Sequence, residues 1–523
     1  MLRAYIAAAI LSGGASASSG VFISSLSYTN GSSGVNTTTS GILPCDALIE
    51  AGLGDRLLFA TDPGYEPEVE SWYSENSRQR PYCFVLPRNR EEVATTLTTL
   101  VGVDNGAGDW HIAVRSGGHS SIGSNNIDNG VTIDLSLMNS SSYDPQTNIA
   151  CIEPGGRWRD VYADLDKQGA VVTGGRDGDV GVGGFLIGGG NSFFSGRMGF
   201  GCDSVVNFEV VLANGTIVNA NSTSNADLWK ALKGGTSNFG IVTRYDMEAL
   251  PARDLYYDLR YLSYNYSEAA IEAVAEFADQ DQSLHDNALV TFFTYNASMS
   301  SEISIGEIYV NTQGHSNVTT SFDKVKNLPA MLNVSVSQSM AKAAAGSQVP
   351  GGTRDIGTTL TFYNDPRILR RCNELHEQFI ETLKHSIDPT KFVTMVFFQP
   401  IPSYMGKVAE ERGGNMLGFK NSVQHNAILW TFGVAIQPDQ GDEAFAIARA
   451  ELKALTAQVK EYARSVQGDI DFVYLNYADA SQDPLGSYGA DNIQHIRDVA
   501  AKYDPNEVFQ KRIPGGFKIS RVK

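Results

Sequence analysis

The chain has 523 residues, 42% hydrophobic and 19% charged, with a formal net charge of −18. That length and balance describe an ordered protein of two or three domains and exclude a disordered chain. The negative charge argues against nucleic acid or an anionic membrane surface as a partner, because both would repel it.

Residues 1–17 place Arg3 before a short apolar stretch and end on Ala15-Ser16-Ala17. This is the pattern of a cleaved secretory signal, too short for a membrane span. Residues 18–43, rich in Ser, Gly, Thr and Asn, are expected to be a mobile leader. Asn-x-Ser/Thr tripeptides at Asn30, Asn36, Asn139, Asn214, Asn221, Asn265, Asn296, Asn317 and Asn333 fit a secreted, extracellular glycoprotein. The five cysteines, Cys45, Cys83, Cys151, Cys202 and Cys372, contain no C-x-x-C pair, so neither a metal site nor a dithiol redox site is expected. An oxidising compartment favours one or two disulfides, with Cys45–Cys83 the preferred pair around the first compact segment.

Residues 44–251 form the first expected domain, helical from Pro44 towards Trp72 and then alternating short strands with glycine clusters from Arg80. Its most informative run is Arg115-Ser116-Gly117-Gly118-His119-Ser120, set between strand candidates His111–Val114 and Val131–Leu135. Strand, glycine loop and strand suggest backbone N–H groups aimed at an anion such as a pyrophosphate, with His119 against it. A tight hairpin carrying a surface histidine is the competing reading. Helices are predicted from Trp158 to Gln168 and after an Asn225–Asp227 cap.

Residues 174–201 hold a second glycine block, Gly174-Gly175-Arg176-Asp177-Gly178-Asp179-Val180-Gly181-Val182-Gly183-Gly184 and then Gly188-Gly189-Gly190. Such density is tolerated where a flat ligand lies on the backbone, since each glycine weakens regular structure by about 0.5–1 kcal/mol. It lacks the long helix and offset acid of a nicotinamide-binding unit. A third cluster, Lys233 to Thr243, leads into a strand through a helix C-cap and turn.

From 252 to 470 longer strands, such as Ala288–Tyr295 and Thr390–Phe398, alternate with helices at Glu268–Asp279, Pro366–Ser386 and Asp442–Ser465. That texture predicts an α+β layer, a sheet covered on one side by helices. A tail from 471 to 523 returns to turns and tyrosines.

The three glycine blocks in this order, with Tyr474-Leu475-Asn476-Tyr477-Ala478-Asp479 and Tyr503-Asp504-Pro505-Asn506, resemble the vanillyl-alcohol oxidase and p-cresol methylhydroxylase superfamily. The resemblance spans residues 80–517 and is closest to the berberine bridge enzyme-like branch with its secreted fungal members. It implies an α+β protein binding FAD in extended form, in a two-part domain of residues 44–251. A substrate domain over 252–470, an antiparallel sheet backed by helices, forms the roof, and the tail completes the site.

Carried over residue by residue, the resemblance implies FAD contacts from Arg115, Ser116, Gly117, Gly118, His119, Ser120, Ser124, Gly174, Gly175, Val180, Gly181, Gly184, Gly189, Ile241, Asn476 and Tyr477. His119 stands where the branch links histidine to the flavin 8α-methyl. Many relatives add a thioether from a cysteine where this chain has Asp177. A carboxylate cannot form that bond, so a single link through His119 is expected, and the wide cleft of doubly linked oligosaccharide oxidases is not. Asp177 is left to orient substrate, act as a base, or bond to backbone N–H groups. Val180 stands over the flavin face that meets oxygen, where valine accompanies oxidase behaviour.

Removing hydride from an alcohol carbon requires a base near the alcohol oxygen. The family pattern favours Tyr474 for that role, with Asn476 and Tyr477 nearer the cofactor. A core tyrosine with a satisfied hydroxyl is the alternative. Gln399 is a roof candidate for bonding to substrate. The leading expectation is a monomeric secreted oxidase passing electrons from a small alcohol-type molecule to O₂. A cyclase or dehydrogenase of secondary metabolism and a flavin-free binding glycoprotein are the rivals.

Overall fold

The computed structural model describes residues 39–106 and 109–522. The expected signal, nearly all of the leader and the tripeptides at Asn30 and Asn36 lie outside the described residues.

Three larger sheets and a two-stranded pairing of Ala170–Val171 with Leu250–Pro251 organise the described residues. The first orders Leu57–Phe59, Cys83–Val85, Gly130–Asp134 and His111–Arg115. The strands on either side of the first glycine loop run parallel, His111 opposite Gly130 and Arg115 opposite Asp134. A tight hairpin cannot join parallel strands. The loop therefore crosses over the end of the sheet, and the hairpin reading falls. A disulfide joins Cys45 to Cys83, tying helix Leu43–Leu48 to the first sheet. Cys151, Cys202 and Cys372 are free thiols.

The second sheet is five-stranded and antiparallel, ordered Ser141–Asp144, Ile149–Ile152, Ile241–Glu248, Val205–Val211 and Ile217–Asn221. Helix Trp158–Asp166 packs beside it through Trp158, Val161, Tyr162 and Leu165, which recur at helical spacing. Helix Ala226–Leu232 forms as expected, but Asn225 is left-handed and makes no cap bond. Its side chain is held by Tyr503 and by the Asn219 carbonyl instead.

The third sheet has eight antiparallel strands, including Leu255–Ser263, Ser304–Asn311, Asn287–Asn296, Phe392–Ile401, Ala427–Ile436 and Arg354–Tyr363. Helices Ser267–Ala278, Pro366–Lys384 and Gly441–Ser465 cover one face. The alternation of strand side chains sets what each face does. Leu289, Phe293, Tyr295, Val396 and Phe398 pack under the helices, while Val290, Phe292, Met395, Phe397 and Gln399 face a cavity.

The tail folds back onto the first half. The Ile112 N–H donates to the Arg512 carbonyl at 2.8 Å, and Asn238 Nδ2 donates to the Phe517 carbonyl. Helix Ala490–Tyr503 lies in this tail, where the sequence suggested only turns. Among the described residues no helix is long and apolar enough to cross a membrane.

Candidate active site

A cavity of about 710 Å³ lies between the glycine-rich floor and the open face of the eight-stranded sheet. The floor is built from residues 116–121, Gly181, Gly183 and Gly184, and segment 236–242. Close approach explains several of its glycines. Gly117 and Gly181 press backbone to backbone, and a Cβ on Gly117 would fall 2.4 Å from the Gly181 Cα. Gly184 differs, because a Cβ there would meet nothing within 4 Å and would project into open space.

Not every expected floor residue reaches the cavity. Arg115 is buried behind the loop, where its Nη1 pairs with Asp134 at 2.8 Å and with Glu68, and its guanidinium lies 3.6 Å over Trp72. It braces the loop from below, and a Cβ on Gly118 would meet its Nε at 2.8 Å. Burial, then the nearby Asp134, pushes the Glu68 carboxyl up to about 8. Gly174 is pressed under Trp158, 2.3 Å from a would-be Cβ, and Gly189 faces Leu417 and Tyr474. Arg115, Gly174 and Gly189 are thus packing positions and not cavity walls. Ser116 lines the cavity, with its hydroxyl donating to the Pro154 carbonyl and accepting from the Gly183 N–H. Gly175, Val180, Ile241 and Ser124 also line it. Ser124 donates to Ser120 Oγ at 3.2 Å.

His119 stacks on Tyr73, ring centroids 4.1 Å apart and 18° from parallel. Burial, with help from the Arg157 charge, lowers its pKa to about 4, so the imidazole is neutral at ordinary pH. Its Nε2 is buried without a hydrogen-bond partner among the described residues. Buried polar atoms are rarely left unpaired.

Asp177 lies at the cavity wall with both oxygens engaged by backbone, Oδ1 accepting from the Asp179 N–H and Oδ2 from the Val349 N–H. Of the roles open to it in the sequence, backbone bonding is the one observed. Burial raises its pKa to about 6.

Tyr474, Asn476 and Tyr477 all line the cavity, but their hydroxyl and amide groups are engaged differently. Residues Leu475–Tyr477 form a 3₁₀ turn. Tyr474 is 1% exposed and stacked on Phe200. Its hydroxyl accepts from the Gly190 N–H at 2.9 Å and from Asn476 Nδ2. Burial raises its pKa well above 10. It is the satisfied core tyrosine of the alternative reading and is poorly suited to serve as a base. Asn476 is also spent on support, donating to the Phe185 carbonyl.

Tyr477 is half-buried at the cavity, and its hydroxyl accepts from Arg176 Nη2 at 2.8 Å. The same Nη2 donates to Gln399 Oε1 at 2.6 Å, which also accepts from Asn191 Nδ2. Arg176 and Asn191 escaped the sequence reading. Arg176 stood as a lone cation inside a glycine block, and its partners lie 223 and 301 positions away.

The roof is aromatic. Tyr261 meets Phe292 at 5.8 Å and Phe292 meets Phe397 at 5.5 Å. Phe292 lies against Gly306, where a Cβ would fall 2.0 Å from the ring.

The match to the family described as an FAD binding domain covers residues 81–221. A relative from Aspergillus calidoustus, "FAD-dependent monooxygenase drtC", is 37% identical over 91% of this chain and 90% of its own. The carbohydrate oxidase from Microdochium nivale has a similar fold, with TM-score 0.72, 20% identity and coverage of 92% and 99% of the two chains. Berberine bridge enzyme from Eschscholzia californica gives TM-score 0.70 at 16% identity over 91% and 99%. The cavity fits such a cofactor, since Gly184 leaves open space above the backbone and the buried His119 Nε2 awaits a partner. The chain therefore belongs to the family of FAD-dependent oxidoreductases that carry this FAD binding domain, and its fold is that of berberine bridge enzyme.

Proposed function

We propose that the protein is an oxidase that takes hydride from a carbon bearing a hydroxyl, on a flat and largely apolar molecule, and yields hydrogen peroxide. FAD, when bound, supplies the hydride acceptor and the route of electrons to O₂. The observation that carries this reading is the Arg176–Tyr477–Gln399 cluster, one polar corner in an aromatic-roofed cavity. The aromatic roof binds and orients the substrate and keeps water out. In its phenolate form, held by the Arg176 N–H on its oxygen, Tyr477 takes the hydroxyl proton as hydride leaves carbon and ends as the neutral phenol. Gln399, anchored by Arg176 and Asn191, presents its amide to the substrate oxygen.

In this proposal FAD is tethered once, through His119, and the floor loop 116–121 with Gly181, Gly184 and Ile241 holds it. The protein works outside the cell. The signal-like start and the Cys45–Cys83 disulfide support that placement. Among the described glycosylation tripeptides, Asn139, Asn214, Asn265, Asn317 and Asn333 are exposed, while Asn296 is 6% exposed and unsuited to carry sugar.

The test is anaerobic bleaching of the flavin-loaded protein by aromatic alcohols and by oligosaccharides. Bleaching by the aromatic alcohols is expected; bleaching by oligosaccharides alone would overturn the proposal.

Val180 lines the cavity with its carbonyl fixed by the Trp158 N–H at 3.1 Å, so its side chain is held in place. Val180→Leu fills space beside it. The oxygen-consuming half-reaction is expected to slow by about tenfold, a barrier change near 1.4 kcal/mol, while reduction by substrate changes little. Stopped-flow traces showing both half-reactions slowed equally would make Val180 a packing residue.

A further inference from the structure

Arg176 uses only part of its hydrogen-bonding capacity. Nη2 serves Gln399 and Tyr477, and the guanidinium lies 5.8 Å over the Phe193 ring. Nη1 and Nε have no protein partner among the described residues, and no carboxylate there pairs with Arg176. The adjacent Asp177 does not neutralise it, because both its oxygens are turned to the Asp179 and Val349 backbone. A half-buried guanidinium at the cavity is thus left with its charge and the N–H groups of Nη1 and Nε unspent. Both two-bond forks of a guanidinium use Nη2, which is spent here, so an oxyanion would take a single charge-assisted bond from Nη1 or Nε. The cavity walls around it are aromatic, Phe193 beside the guanidinium and the Tyr261–Phe292–Phe397 run across the roof.

We propose that the substrate is an aromatic acid anion, whose carboxylate pairs with the unspent Nη1 or Nε of Arg176 while its ring lies against the aromatic roof. The proposal rests on the oxidase reading of this cavity and names its substrate class. Arg176 then sets specificity as well as orienting Tyr477, Nη2 serving the base and an unspent N–H holding the substrate. A neutral sugar offers neither the charge nor the flat face.

The experiment uses the flavin-loaded protein and follows the flavin absorbance difference on titration with benzoate, benzamide and benzyl alcohol. Benzoate is expected to bind at least about tenfold more tightly than isosteric benzamide, as a charge-assisted pair in a partly buried site allows. Arg176→Gln should bring that ratio to about one. Arg176→Lys, which keeps the charge but on a single ammonium carried by a shorter side chain, should fall between. Equal binding of benzoate and benzamide to the natural protein would overturn the proposal, and so would a ratio unchanged in either variant. Should Arg176→Gln fail to fold, the natural protein and Arg176→Lys decide the question. Binding and turnover separate the two readings. Arg176-dependent benzoate binding without bleaching by any alcohol keeps the anion site and defeats the oxidase, whereas bleaching without charge discrimination does the reverse.

Discussion

Tyr477→Phe is expected to lower the rate of flavin reduction by substrate about 10²–10⁴-fold, the range for losing a general base. The ring and its packing survive the change. Only the oxygen that accepts from Arg176 disappears, so flavin content and the oxygen reaction should be preserved. Tyr474→Phe should behave in the opposite way. It leaves the Gly190 N–H and Asn476 Nδ2 without their shared acceptor in a buried place, a cost of about 1–3 kcal/mol in stability. Its effect on reduction should be small. Rapid-kinetic reduction and thermal unfolding of both variants check this. A near-normal rate in Tyr477→Phe with a dead Tyr474→Phe would return the role to Tyr474.

His119→Ala is expected to abolish covalent attachment, so acid precipitation should leave colourless protein and yellow supernatant. Asp177→Ala should keep its flavin in the pellet. The reason lies in the neutral, stacked imidazole with an unpartnered buried nitrogen, against a carboxylate whose oxygens are both held by backbone. Flavin that stays in the pellet with His119→Ala would place the tether elsewhere.

Much of the fold was legible because it rests on local periodicity. The long helices Pro366–Lys384 and Gly441–Ser465, and the strand Asn287–Asn296, fall within a few residues of their expected bounds. Helix Ala490–Tyr503 was hidden because its buried positions are few, with Ile496, Val499 and Ala500 its buried residues. The glycine blocks run along the cavity, but not every glycine in them lines it. Gly174 and Gly189 serve neighbouring side chains, which no spacing rule separates from ligand contact. Arg115 looked like a cofactor residue because its partners, Glu68, Asp134 and Trp72, come from distant segments. The polar corner was the least legible. Gln399 was visible at the end of a roof strand and Tyr477 in the tail motif, but the arginine joining them is set by tertiary approach alone.

The most direct test of the oxidase claim is turnover of an aromatic alcohol under ¹⁸O₂ with peroxide measured alongside product. An oxidase working through Tyr477 yields one peroxide per product and no label in that product. A labelled product with no matching peroxide would contradict the account and assign the monooxygenase chemistry in the name of the Aspergillus calidoustus relative.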